Sequence, residues 1–502
     1  MQNGRVTNVQ PDGSPQFCAV ITVIHKAMRT INKIFVNGQF RTPNGTKELI
    51  LPNPATGEPL TKVILADASD TTLAIEAANK AFESYSVATL ETRRMYLRRI
   101  HDVMLTKMDE LKSIVAEEYG SPQWFTEFAL NDALRSWKMA IDLVTPENTS
   151  HQLNNGTTVV MDPVGVAALI SPWNLSIWFI CVKASTALAA GCSIVMKPSE
   201  LSPLQNHAMA EIFQQANLPA GLVNVVHGDG ETVGNTLTAS PGIHKISFTG
   251  STQVGKDIAK KATETMKRVT LELGGKSPSI ILDDADLEKA IPFVLQVGLQ
   301  NSGQSCTAGT RILIPASRKD EIYAALKSGI EELKCGPASS KDSMIGPMVS
   351  LKQWERVQYY IQKGIDEGAT LLTGGTGRPE GLTAGNFVKP TLFTNVKNRM
   401  TIAQEEIFGP VLCVITYDDD EEAIQLANDS NYGLHAYIAG TDTARAVQIA
   451  RRLQAGRVAI NGFVDAPDAP FGGYKQSGMG REFGKYGLGS FQEPKAIFLP
   501  DN

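Results

Sequence analysis

Hydrophobic positions change period along the chain. From Asp70 to Gly120 they recur at helical spacing, with Asp70 and Thr89 as caps and Met95, Ile100, Val103 and Leu111 approximating one stripe. After Pro163 the texture shifts to short β-rich runs: VAALI (166–170), SIVMK (193–197), VNVV (223–226) and KISFT (245–249). Helical stretches separate them, among them LQNHAMAEIFQQA (204–216) and VGKDIAKKA (254–262). This alternation predicts βαβ units on a parallel sheet. Ligands bind such sheets beyond the carboxyl ends of the strands.

A second round begins after Lys276. DLEKAIPFVLQVGLQ (286–300) reads as helix, TRILIPA (310–316) as strand and KDEIYAALKSGIEEL (319–333) as helix. EEAIQLAND, HAYIAG, TARAVQIARRLQ and RVAING continue the theme. A second α/β domain therefore follows the first, with a boundary near GGK (274–276). At the other end, IFVNGQF opens a strand-and-turn pattern just after Met28. FCAVITVI (17–24) is a short apolar run followed by His25-Lys26 rather than a small-residue cleavage site. Residues 1–27 are expected to be a disordered extension.

Composition adds exclusions. The 502 residues suggest about three structural units. A net charge of −5 offers no basic footprint for nucleic acid. The pairs Arg93-Arg94, Arg98-Arg99 and Arg451-Arg452 lie in helical patterns and read as solvated faces. No apolar run approaches the ~18–20 residues of a spanning helix. The six cysteines show no CxxC spacing and the seven histidines are scattered. No metal site or disulfide framework is expected, and the thiols read as reduced in a cytoplasmic protein.

Five stretches carry candidate chemistry, each with a plainer alternative. ISFTGSTQVGKDI sets Gly250 and Gly255 between strand and helix, with Thr252 where a dinucleotide fingerprint would have its second glycine. A helix N-terminus there offers free N–H groups to a pyrophosphate, and the Ser251 and Thr252 hydroxyls add donors; a simple capped turn fits equally. Lys197 and Glu200 in MKPSE follow a strand end, where a carboxylate accepts from a ribose hydroxyl, or they form a solvated turn. Asn174 in SPWNLS is an oxyanion donor or an Asx-turn asparagine. Glu272 in LELGGK is a carboxylate in apolar company, either a general base raised by desolvation or a strand-end group. Cys306 in NSGQSCTAGTR is a nucleophile or a filler. Its small polar neighbours suit backbone approach to a substrate and sit badly with an inert core position.

Together these stretches resemble the NAD(P)-dependent aldehyde dehydrogenase superfamily, of the hydrolytic, non-acylating type. The resemblance rests on SPWN, KPSE, FTGSTQVG, LELGGKSP, GQSCTAGTR, EEIFGP, NYGL and PFGGYKQSGMGRE, in family order, from about Met28 to the C-terminus. It implies an α/β fold in three parts: a Rossmann-like NAD-binding domain (28–148 and 166–275), an α/β catalytic domain (276–485) and a small β oligomerisation element (149–165 and 486–502). It implies Cys306 as nucleophile, Glu272 as general base and Asn174 as oxyanion donor beside the Cys306 N–H. Trp173, Lys197, Glu200, Gly228, Gly250, Ser251 and Gly255 match cofactor contacts, with Glu406 and Phe408 on the nicotinamide half. Lys183 and Glu482 match a proton path. NAD is the expected cofactor, since Glu200 would repel a 2′-phosphate, with NADP the alternative. The implied assembly is a homodimer or homotetramer, because exposed strands in TTVVMDPVG (157–165) and SFQEPKAIF (490–498) demand pairing.

Two departures bear on substrate. Ser176 stands where the family often has proline, followed by Trp178. FVDAPDAP (463–470) resembles a loop lining the substrate entrance, with Phe463 and Asp465 as channel candidates beside Asp468. Acidic residues there would repel a carboxylate, so a neutral or hydrophobic aldehyde, aromatic ones included, is expected. The rivals are a CoA-acylating enzyme, disfavoured by Glu272, a non-catalytic binding or structural member, disfavoured by the complete set, and a cysteine hydrolase, disfavoured by the absence of a nearby histidine.

Overall fold

A computed structural model describes residues 28–464 and 466–498. The expected extension 1–27 and Asp465 lie outside the described residues. Two large sheets dominate, as the two rounds of alternation predict. The first has eight strands in the order Gly478–Met479, Arg268–Glu272, Lys245–Thr249, Ala167–Ile170, Ile194–Lys197, Val223–Val225, Ile34–Val36 and Gln39–Arg41. Its five central strands are parallel. Most of their residues are buried, which explains the near-continuous apolar runs. The chain steps outward from Ala167–Ile170 through Ile194–Lys197 to Val223–Val225, then returns to Lys245–Thr249 on the other side. That reversal is a topological switch point, where a doubly wound sheet opens a crevice.

The second sheet has seven strands: Thr370–Thr373, Thr391–Thr394, Val411–Tyr417, Arg311–Pro315, Pro278–Ile281, His435–Ala439 and Arg457–Ile460. Only its first pair is antiparallel. One strand of the first sheet comes from far along the chain. Gly478–Met479 pairs antiparallel with Arg268–Glu272, placing Gly478 opposite Glu272. A third sheet pairs Gln492–Ile497 and Ser150–Gln152 on either side of Thr158–Pro163. Its long outer strand leaves Lys495, Ala496 and Ile497 exposed. Among the described residues no helix is long and apolar enough to cross a membrane.

Three local expectations are corrected. The cap of the first helix, Ala68–Tyr85, is Asp67; Asp70 is its reciprocal partner in a capping box. Asp70 is unavailable as a cap because its carboxylate accepts from Asp67 N, Asn44 N and Gly45 N. On the helix Leu90–Thr106 the buried stripe is Arg93, Leu97, Ile100 and Met104, flanked by half-buried Met95 and Val103. Arg93 is therefore no solvated residue. It donates to Ala190 O at 2.9 Å and Ser86 O at 3.0 Å, so its guanidinium serves the carboxyl ends of two helices, Ser176–Ala190 and Ala68–Tyr85.

Candidate active site

The segment before Cys306 is bent into an unusual turn. Asn301, Ser302 and Gly303 all adopt left-handed backbone, with φ of 52°, 59° and 73°. Such geometry costs of order 1–3 kcal/mol at each non-glycine residue and persists only where neighbours impose it. Asn301 Nδ2 donates to Asn174 O at 3.1 Å and Gln304 O at 3.0 Å. Gly346 N donates to Ser302 Oγ at 2.8 Å. A Cβ on Gly303 would lie 2.2 Å from Gly409 O. Gln304 is pinned at both ends of its amide, giving Nε2 to Pro347 O and accepting Val349 N at Oε1. These ties fix the loop that presents Cys306. Cys181, Cys192 and Cys413 are buried fillers, whereas Cys306 is half-buried. Its carbonyl lies against Gly275, where a Cβ would approach to 2.3 Å.

Asn174 sits in the loop after the strand Ala167–Ile170, at the switch point. It is buried, and its Nδ2 donates to Gln304 O at 3.0 Å. A side-chain amide has two N–H bonds, so one fixes its orientation and the other remains for a ligand oxygen. Glu272 ends the strand Arg268–Glu272. It is buried, and neither carboxylate oxygen has a hydrogen-bond partner among the described residues. Burial, then the neighbouring Glu482, raises its carboxyl well above the usual range, against the pull of Lys183, Arg481 and Arg457. Burial, then Glu406 and Glu272, also pushes the Cys306 thiol far up, opposed by the Cys306 and Thr307 N–H groups. Cys306 and Glu272 thus lie in one another's field.

Behind Glu272 runs a buried polar cluster. Lys183, on the helix Ser176–Ala190, donates to Glu482 Oε1 at 2.5 Å and Ser247 Oγ at 2.9 Å; Ser247 in turn donates to Glu482 at 3.1 Å. The structure thus brings Lys183 and Glu482 together beside Glu272.

The other sequence candidates line the crevice at the carboxyl ends of the first sheet. Lys197 is buried and donates to Glu200 Oε2 at 2.9 Å. Gly250 N donates to Glu272 O at 3.0 Å, and Ser251 caps the helix Thr252–Ala262. Gly255 leaves no room for a side chain, since a Cβ would lie 2.4 Å from Leu273; at Gly228 the distance to Val233 would be 2.1 Å. Thr249 and Thr252 bury hydroxyls that have no protein partner among the described residues. Close backbone, a helix N-terminus and unpartnered hydroxyls fit a dinucleotide phosphate bridge. Nearer Cys306, the half-buried Glu406 accepts Gly275 N at 2.9 Å, and burial pushes its carboxyl up to about 7. Trp173 meets Phe408 edge to face at 5.3 Å.

Two channel candidates are accounted for. Trp178 donates to Asp132 Oδ2 at 2.6 Å and packs on Phe483 at 5.7 Å. Phe463 is exposed and meets Phe293 and Tyr437 edge to face. The sequence reading missed Asn301, Gln304, Asp132 and Arg457. Only NSG carried a local signal, since asparagine and glycine are the residues that enter left-handed backbone readily.

The aldehyde dehydrogenase family model matches residues 40–497. The chain is 42% identical over 472 residues to a 3-succinoylsemialdehyde-pyridine dehydrogenase of a Pseudomonas species, covering 94% of this chain and 99% of that one. It superimposes on a cysteine-to-alanine mutant of aldehyde dehydrogenase C from Pseudomonas syringae, complexed with NAD+ and octanal. There the TM-score is 0.92 at 39% identity, over 95% of this chain and 99% of the other. A Mycobacterium tuberculosis aldehyde dehydrogenase complexed with NAD+ gives a TM-score of 0.91 at 40% identity, over 94% and 99% of the two chains. With matches of this extent, the chain belongs to the aldehyde dehydrogenase family.

Proposed function

We propose that the protein oxidises an aldehyde to a carboxylic acid with NAD+, through covalent intermediates on Cys306. The observation that carries the reading is the shared environment of Cys306, Glu272 and Asn174 where the two large sheets meet the dinucleotide crevice. The Cys306 thiolate attacks the aldehyde carbon. The oxygen that gains charge is positioned to take the second Asn174 N–H and the Cys306 backbone N–H, donors whose loss typically costs ~10²–10³ in rate. When bound, NAD+ supplies the acceptor for the aldehyde hydrogen, leaving a thioester on Cys306. Glu272 then takes a proton from water, the hydroxide adds to the thioester carbonyl, and the Cys306 thiolate departs from the acid. Glu482 and Lys183 stand behind Glu272 as the route by which that proton leaves.

Lys197 and Glu200 would hold the adenosine ribose, and Glu200 favours NAD over NADP. The structural neighbours bound to NAD+ support that order. A neutral, hydrophobic aldehyde is the favoured substrate class, consistent with octanal in the P. syringae complex and with Asp468 exposed on the entrance loop. The three-stranded sheet, with its exposed outer strand, supports a homodimer or homotetramer. A cytoplasmic location fits the free cysteines. An aldehyde panel read by NADH formation, with NADP in parallel and CoA added or withheld, tests all but the assembly and location. Much faster turnover of succinate semialdehyde than of uncharged aldehydes of similar size would overturn the substrate class. A requirement for CoA would overturn hydrolysis.

A further inference from the structure

Arg457 occupies a position that the chemistry above does not explain. It opens the strand Arg457–Ile460, opposite His435. Its Nε donates to Pro470 O at 2.8 Å and its Nη2 to Ala469 O, so it grips the last two carbonyls of the entrance loop. Its guanidinium lies 5.1 Å from the Phe471 ring centre and 5.4 Å from that of Phe483, and the two rings meet edge to face at 5.6 Å. Phe471 and Phe483 mark the two ends of one loop. Phe471 N donates to Glu482 O at 2.9 Å and Glu482 N to Phe471 O at 2.7 Å, closing that loop at its neck. Arg457 therefore caps the neck from outside. Phe483 is held at φ 68°, a conformation rare for a bulky residue, which the clamp and the Trp178 contact help to impose.

The clamped loop encloses Glu272. A Cβ on Gly472 would lie 2.6 Å from Glu272 Oε1. Gly478 pairs with the Glu272 backbone, and Ser477 O accepts Leu273 N at 2.9 Å. Titratable groups face Glu272 from several elements: Glu482 and Arg481 from the loop, Lys183 from the helix Ser176–Ala190, the Cys306 thiol from the nucleophile loop and Arg457 from the second sheet. Lys183 is committed to Glu482, and Arg481 Nη1 to the Gly473 and Gly480 carbonyls. Arg457 Nη1 makes no hydrogen bond among the described residues, and Asp132, then Glu272 and Tyr437, lie in the field of its charge.

We propose that Arg457 is a positioning residue for thioester hydrolysis: it locks the neck of the 471–483 loop that lies against Glu272. A lysine would keep the charge and lose the planar fork that serves two carbonyls and two rings at once. The proposal rests on Glu272 acting as the base. It predicts two separable effects, one mechanical and one electrostatic.

The test uses Arg457→Met, Arg457→Gln and Arg457→Lys in the full chain, with melting curves to establish folding. Hydrogen exchange of residues 471–483, read by mass spectrometry without substrate, reports the clamp. The pH dependence of kcat reports the charge. All three variants are expected to exchange faster in 471–483. Met and Gln are expected to lose at least about threefold in kcat at neutral pH and to move the acidic limb upward. Lys should restore the limb but not the protection. Unchanged exchange in 471–483, or an acidic limb left in place by both Met and Gln, overturns the proposal. If the unmodified protein oxidises aldehydes but Glu272→Gln turns over equally fast, the base assignment itself has failed and the proposal falls with it. Faster exchange in the Arg457 variants would still show the clamp.

Discussion

Asn174 Nδ2 is bonded to the carbonyl of Gln304, two residues before Cys306, at 3.0 Å. One amide proton is thus spent on orientation so that the other is aimed. Asn174→Ala should lower kcat by about 10²–10³ with a much smaller change in aldehyde KM, as expected when an interaction is made chiefly in the transition state. Steady-state kinetics on a good aldehyde measures this. A rise in KM at unchanged kcat would assign Asn174 to binding instead.

Glu406 joins the cofactor crevice to the thiol. Its carboxylate accepts Gly275 N, and a Cβ on Gly275 would collide with the Cys306 carbonyl. After burial, Glu406 is the strongest influence raising the Cys306 thiol. A raised thiol holds less thiolate at neutral pH, so iodoacetamide should modify Cys306 slowly and with a rate that climbs with pH. Glu406→Gln keeps an acceptor for Gly275 and removes the anion. It should speed alkylation about threefold to tenfold, through the thiolate fraction. Because the Glu406 carboxyl itself titrates at about 7, the gain should appear mainly above that pH. Mass spectrometry of the Cys306 peptide over time reads it directly.

The sheets were legible because fully buried parallel strands leave unbroken apolar runs, and the intervening helices carry a different period. Glu272 among apolar neighbours and Cys306 among small polar ones stood out as candidates, but a plainer role fitted each alone, and their roles came from the family resemblance of the motifs taken together. Gln304 and Arg457 carry no such mark. Gln304 acts through its backbone carbonyl and both ends of its amide, and Arg457 through residues up to 26 positions away. Arg93 shows the opposite error. A doubled arginine looks solvated, yet one of the pair is buried against helix-end carbonyls that the sequence does not locate.

Glu272 also writes itself into stability. Its carboxyl is raised in the folded protein, so the folded state holds that proton more tightly than the unfolded chain, where the value is about 4.3. Its contribution is least harmful below the unfolded value, and the penalty grows as pH rises through the folded value. Glu272→Gln removes the buried charge. The variant should melt above the unmodified protein at alkaline pH and converge with it near pH 4, while hydrolysis of the thioester stalls. Thermal melts across pH test the first half, and intact-mass detection of an acylated Cys306 tests the second. Equal melting temperatures at pH 9 would mean that Glu272 is solvated when ionised.

The buried pair Lys183–Glu482 calls for a double substitution. Lys183 is almost wholly enclosed, and Glu482 is buried against it. Glu482 Oε1 takes both Lys183 and Ser247, while its Oε2 has no partner among the described residues. Removing one charge leaves the other uncompensated, which in buried pairs costs about 3–5 kcal/mol. Lys183→Met should therefore destabilise by an amount of that order in urea titrations. Lys183→Met combined with Glu482→Gln should recover a good part of it, because desolvation of the surviving charge is then avoided. If the pair served packing alone, the double variant would keep near-normal turnover. If it carries the proton away from Glu272, stability should return while kcat stays low and the solvent isotope effect rises, which separates the two roles in one set of proteins.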